Sequence, residues 1–475
     1  MSAHPALRRT KIVATIGPAT SNAAMIEKLI RAGMDCARIN CSHGVRDDLV
    51  ASIRVVRAVQ EAIDHPVAIL ADLPGPKLRL GMLPEERMID TGSEIVLASP
   101  GSAQPGDLEL GFSIDFAAVV QNGAPVMIDD GRVRMRVLDS SSTRARCEVL
   151  TGGVVRSQKG VNFPGTYLPI PSITDRDREM LAMAIEQDVD YVALSFVRRA
   201  EDVDELRRLV ELAGGRQRVI AKIEKLEAVE KLDSIIDAAD GIMVARGDLG
   251  VEIGTADVPM AQKRMIAKAR AVGKPVITAT QMLESMIERP IPTRAEASDV
   301  ANAILDGTSA VMLSGETAVG EYPIEAVDTM VRIAAAVEPS YAYLESSYDA
   351  ARLGPRFISD VVGHAACDMA EVIEAAAVVV PTVSGETARE VSKHRPRRPI
   401  VACTPSMGVR QQLMLDWAVV PLLLEPTQDV ETLWRRSVDA VLRAGIAGPG
   451  DRVVITSGTN VNRKGATNTI LVRTL

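Results

Sequence analysis

VIAKIE, residues 219–224, is an apolar strand pattern that carries a lysine and a glutamate two positions apart. Strand side chains alternate faces, so Lys222 and Glu224 point the same way. Charges placed in a strand bound for a dry core are costly unless they have a task. Further along, GIMVARGDLG (241–250) repeats the design and ends in Arg246, Gly247 and Asp248. Two carboxylates and a lysine converging at strand ends make a site for a hard divalent cation and an anion.

Working outward, the same kind of short apolar run recurs as KIVATIG (11–17), CARINCS (36–42), VAILADL (67–73), DYVALSF (190–196), PVITAT (275–280) and AVMLSG (310–315). Amphipathic helical patterns such as AAMIEKLIRAG and MAQKRMIAKARAVG fill most of the gaps. Apolar strands alternating with helices predict a parallel sheet. Eight units predict a (β/α)₈ TIM barrel of α/β class, with its site at the C-terminal ends of the strands. Polar residues collect there: Arg38, Asn40, Ser42, Asp72, Ser195, Lys222, Glu224, Asp248, Thr280 and Ser314. Any one of these also reads as a strand-end cap or ion pair; their concentration at one end favours a site. Arg38, Asn40 and Ser42 share a face by the period of two and together could grip a phosphoryl group. Lys222, if not neutral, needs anions to hold its charge.

The alternation breaks at 76–170. That stretch is rich in turns, carries the hairpin signal Asp129-Asp130-Gly131, and is closed off by Pro164, Pro169 and Pro171. It predicts a small inserted β-barrel lid able to close over the barrel mouth. The barrel is then 1–75 with 171–340. The pattern lapses again at 338–355, and a C-terminal α/β domain is expected over 341–475, with strands near AAAVVVPTVS, PIVACTP, AVVPLLL and DRVVITSG. Its first strand runs into Thr382, Ser384, Gly385 and Thr387 before a helix. Hydroxyls and glycine at a helix start suit a phosphate, or serve as an ordinary cap.

The chain has 475 residues, enough for two to four domains. Its aromatic content of 3% demands aliphatic cores, and a net charge of −8 argues against nucleic acid as a partner. The one basic cluster, at 395–399, reads as a solvated loop. Five scattered cysteines fit reduced thiols, not a disulfide frame or zinc site. MSAHPALRRTK lacks a signal-peptide core, and no apolar run reaches the ~18 residues of a membrane span. A cytoplasmic protein with no membrane partner is expected.

VIAKIEKLEAV, RINCSHG, DLPGPKLRLG, MIDDGRV, SQKGVNFPG, ALSFVR, VARGDLGVE, TATQMLESM and LSGETAVGEYP together resemble the segments of pyruvate kinases, in that family's order and over nearly the whole chain. The resemblance implies phosphoryl transfer from phosphoenolpyruvate to ADP, the last step of glycolysis. It implies Mg²⁺ (or Mn²⁺) on Glu224 and Asp248, with Lys222 stabilising the charge that develops. Arg38 would contact the phosphoryl group, and Gly247 and Asp248 would offer amides to the substrate carboxylate. Thr280 would lie on the proton-delivery side, with Ser314 close in role and Ser195 among the substrate contacts. Asn40, His43, Arg79 and Lys159 would serve the nucleotide. Asn40, Ser42, Asp72 and Leu73 match the ligands of a monovalent K⁺ site. Lys77 departs from the glutamate of many K⁺-dependent members, so the expectation is that its ammonium replaces the ion. A homotetramer is implied, and so is activation by a phosphorylated effector at Thr382, Ser384, Gly385 and Thr387. Glu386 in that loop favours a monophosphate.

Two rival readings stand at this level. A Mg²⁺-dependent aldolase or lyase would need the same strand-end charges, without Arg79, Lys159 or a lid. A silent metabolite sensor would keep the fold alone; the intact Lys222, Glu224, Asp248 and Thr280 argue against it.

Overall fold

The computed structural model describes residues 8–340, 357–459 and 467–475. Most of the stretch MSAHPALRRTK and of the pattern lapse at 338–355 lies outside them. Strands Lys11–Ile16, Cys36–Asn40, Ala68–Asp72, Tyr191–Leu194, Arg218–Ile223, Gly241–Ala245, Val276–Ala279 and Ala310–Leu313 close into one parallel barrel. All eight expected strands are present, and each neighbours its successor in the chain. The register sets Thr15 beside Arg38, and Asn40 beside Asp72.

Two layers of aliphatic packing follow from the continuous apolar runs. One lies between strands and helices, the other inside the barrel, where Val13, Leu70, Ile220, Met243, Ile277 and Met312 meet. Helix starts are fixed by capping boxes, Thr174 with Asp177 and Thr293 with Glu296. Met414 and Leu415 join the inner cluster from the C-terminal unit, and the Tyr191 hydroxyl donates to the Gln412 carbonyl at 2.7 Å. The floor of the barrel is therefore stoppered by the C-terminal unit, and its opposite mouth holds the polar strand ends.

The insert has its own core around Phe116, Phe163, Val126 and Val137. Its six-stranded sheet runs in the order Val161–Asn162, Pro125–Ile128, Val133–Ser140, Arg144–Thr151, Glu94–Ala98, Leu108–Glu109. Bridges from Arg79 to Gly160 and from Leu80 to Leu110 tie the two edges together, which gives it the character of a small barrel. The predicted hairpin is formed by Asp129, Asp130 and Gly131, all with positive φ.

In the C-terminal unit the strand order is Val419–Leu423, Ile400–Thr404, Ala377–Pro381, Arg452–Gly458, Thr467–Thr474, the last antiparallel. Sequence reasoning missed that fifth strand. It also misjudged one member of the basic cluster, in which Arg397 is exposed as expected. Arg395 is 5% exposed, donates to the Gly307 carbonyl at 2.8 Å, and stacks over Trp417 at 4.8 Å. Docking of the two units, not solvent, decides that residue's environment.

Candidate active site

Three strand ends bring the central charges together. Lys222 Nζ donates to Ser195 Oγ at 2.7 Å and lies 3.2 Å from Asp72 Oδ1 and 3.1 Å from Glu224 Oε1. Burial alone would push this lysine down, but Asp72 and Glu224 outweigh it and hold the ammonium above its ordinary value. Of the two sequence alternatives, neutral or anion-held, the second applies. Ser195 passes the contact on, donating to the Leu73 carbonyl at 2.7 Å.

Asp72 also takes Arg38, whose Nε and Nη2 both lie 2.7 Å from Oδ2, while Nη1 donates to Thr15 Oγ1 at 3.0 Å. Burial opposes ionisation of Asp72, yet Lys222 and Arg38 together pull its carboxyl below the usual range. Thr15, which orients Arg38, was not singled out in the sequence; a lone threonine inside KIVATIG was its only signal. Gly75 enters the insert with φ 66°, and a Cβ there would meet Ser195 Cβ at 2.8 Å, so only glycine fits this approach.

Glu224 Oε2 accepts the Phe196 amide at 2.7 Å. Burial, with a further push from the Asp248 charge, raises Glu224 above the ordinary carboxylate value despite the pull of Lys222. Asp248 lies in the first turn of helix Arg246–Ile253, and its Oδ1 is 3.1 Å from Lys77 Nζ. Two mutually repelling carboxylates at a barrel mouth fit a divalent cation, which would relieve the repulsion. Among the described residues no cluster of three or more His, Cys, Asp or Glu converges, so the remaining coordination would fall to substrate oxygens and water.

Thr280 follows the seventh strand directly, and its hydroxyl accepts the Gly247 amide at 2.8 Å. Of the two amides expected for a substrate carboxylate, Gly247's is thus already engaged by protein. Ser314 donates its amide to Glu316 Oε2 at 2.7 Å, in the next strand-end turn. A cleft of about 960 Å³ opens between the insert and the barrel, lined by Lys77, Met127, Asp130 and Arg134 on one side and Asp248 and Thr280 on the other.

The residues expected on the nucleotide side are more dispersed. Lys159 pairs with Asp129 at 2.8 Å, and Arg79 donates to the Gln158 carbonyl at 3.0 Å, both on the insert. His43 is exposed, and the Asn40 side chain accepts the Ser42 amide at 3.1 Å. Far from the mouth, Thr382 Oγ1 accepts the Gly385 amide at 2.9 Å, Ser384 Oγ accepts that of Glu386 at 3.4 Å, and Thr387 pairs with Thr467 at 2.9 Å. Arg389, unnoticed in the sequence, donates to the Ser384 carbonyl at 3.1 Å from beneath that loop.

A parallel barrel with a buried lysine between carboxylates and a β insert over its mouth defines a barrel phosphotransferase. Family models for the pyruvate kinase barrel domain and alpha/beta domain match residues 7–327 and 360–473. Pyruvate kinase 2 of a Synechocystis species is 44% identical over 99% of this chain and 80% of its own length. Pyruvate kinases of Methylorubrum extorquens and Clostridium acetobutylicum are 42% and 41% identical, covering 98% of this chain and 97% and 99% of theirs. The chain belongs to the pyruvate kinase family. Its reaction is phosphoryl transfer between phosphoenolpyruvate and ADP, giving pyruvate and ATP, in a family that generally uses Mg²⁺ and K⁺.

Proposed function

We propose that this reaction is carried by the Lys222 network, and the carrying observation is the clamp on its ammonium by Ser195, Asp72 and Glu224. Phosphoryl transfer asks a protein for positioning and charge neutralisation more than for a nucleophile. Lys222, fixed before the substrate arrives, stabilises the charge that develops as the phosphoryl group leaves the enolate oxygen. Arg38, braced by Asp72 and Thr15, grips the phosphoryl group. Ser195, Gly247 and Asp248 complete the substrate contacts. Glu224 and Asp248 hold the divalent ion, which when bound supplies neutralisation of phosphate and enolate oxygens. Thr280, with Ser314 nearby, stands on the side from which the enolate carbon is protonated. Asn40, His43, Arg79 and Lys159 serve the nucleotide, for which the cleft under the insert has room.

The same reading extends to regulation and assembly. The barrel comprises 1–75 and 171–340, the lid 76–170 and the regulatory domain 341–475. A monophosphorylated effector docks at Thr382, Ser384, Gly385 and Thr387. The assembly is a homotetramer, supported by apolar side chains left exposed along helix Ile358–Val372, with Ile358 at 73% and Val372 at 83%. Lys77 replaces the K⁺ that Asn40, Ser42, Asp72 and Leu73 would otherwise hold. Five free cysteines favour a reducing compartment such as the cytoplasm. Among the described residues no helix is long and apolar enough to cross a membrane.

The test is a lactate-dehydrogenase-coupled assay with phosphoenolpyruvate and ADP, titrated with Mg²⁺. Glu224→Gln removes the charge of one of two acidic ligands, so its half-saturating Mg²⁺ should rise about tenfold or more. An unchanged half-saturation would put the ion elsewhere.

A further inference from the structure

Thr280 and Gln281 leave the seventh barrel strand in the left-handed conformation, with φ of 66° and 52°. Neither is glycine. Consecutive residues of this kind are strained and persist only where their surroundings over-determine them. Arg246 does so. Its Nη2 donates to the Thr280 carbonyl at 2.7 Å and reaches that of Gln281 at 3.3 Å, while Nε reaches those of Ala279 at 3.2 Å and Thr280 at 3.3 Å. On its far side Nη1 lies 2.7 Å from Asp299 Oδ2. The residue is only 8% exposed, so this guanidinium faces protein, and its planar fork suits a turn of successive carbonyls. The next residue, Gly247, donates its amide to the Thr280 hydroxyl. One dipeptide thus grips the same threonine twice, by carbonyl and by hydroxyl.

We propose that Arg246 is a positioning residue for proton transfer to the enolate: by clasping the turn at 279–281 it holds the Thr280 hydroxyl at the mouth, beside the Gly247 amide. This rests on the reading of Thr280 given above. Lysine in its place would keep the charge and lose the fork.

Proton transfer is read apart from phosphoryl transfer by the exchange of pyruvate methyl protons with D₂O, followed by NMR with Mg²⁺ and inorganic phosphate present. Arg246→Lys, Thr280→Val and the double variant are compared, with melting scans to establish folding. Each single change should slow exchange about 10²-fold, the usual scale of a positioned proton-transfer group. The double variant should be no more than about threefold slower than the slower single, because both act through one hydroxyl. Wild-type exchange in Arg246→Lys, or losses that multiply in the double variant, would overturn the proposal while leaving Thr280's role intact. Normal exchange in Thr280→Val would remove that role and the proposal with it. If Arg246→Lys does not fold, Arg246→Gln, which keeps one donor for the Thr280 carbonyl, completes the same cycle.

Discussion

Lys77 Nζ lies 3.1 Å from Asp248 Oδ1, joining the loop that enters the lid to the helix that carries a proposed metal ligand. Both side chains are partly exposed at the edge of the cleft, at 29% and 23%. A tethered ammonium at the cleft would add positive charge there without the entropy of collecting a free ion.

If Lys77 stands in for the ion, as proposed, the enzyme is independent of K⁺. In tetramethylammonium buffer free of K⁺ and NH₄⁺, adding KCl at constant ionic strength should change the initial rate by less than about tenfold, or ~1.4 kcal/mol in the barrier. Lys77→Glu should lose activity in that buffer and recover it with K⁺. Stronger activation of the unaltered enzyme would remove Lys77 from this role.

Asp72 is the shared counter-ion of Arg38 and Lys222. Asp72→Asn leaves two buried cations without it, and breaking such a buried pair typically costs about 3–5 kcal/mol. We expect a lowered melting temperature and a fall in kcat/KM of about 10²-fold that added KCl does not rescue. Thermal unfolding that matches the unaltered protein would mean that Asp72 contributes nothing as counter-ion.

The loop at 382–387, proposed as the effector site, carries a separate prediction. Ser384→Glu puts a carboxylate where a phosphate is expected, and should abolish activation by sugar monophosphates and nucleoside monophosphates. The basal rate should stay within about twofold, since the loop lies across the molecule from the mouth and well-separated sites act nearly independently. Activation curves that overlay those of the parent would place the effector elsewhere.

The barrel was legible because buried parallel strands need continuous apolar runs, and the strand period alone put Lys222 and Glu224 on one face. Partners drawn from distant segments were not legible. The meeting of Asp72 with Arg38 and Lys222 depends on strand register, which VAILADL does not encode by itself. The Arg246 clasp depends on backbone φ at Thr280, and the burial of Arg395 on docking between units. Strand Thr467–Thr474 escaped notice because TNTILVRT, partly exposed along the sheet edge, lacks a continuous apolar run.

Transfer is proposed to depend on the charge of the clamped Lys222 ammonium. Lys222→Met keeps an unbranched four-atom stem and deletes the ammonium that ends it. Its rate of pyruvate formation from phosphoenolpyruvate and ADP, at saturating Mg²⁺ and with folding checked by circular dichroism, is the most direct measurement. A folded variant slowed by about 10²-fold or more is the predicted result; a folded variant turning over at the rate of the unaltered enzyme would contradict it.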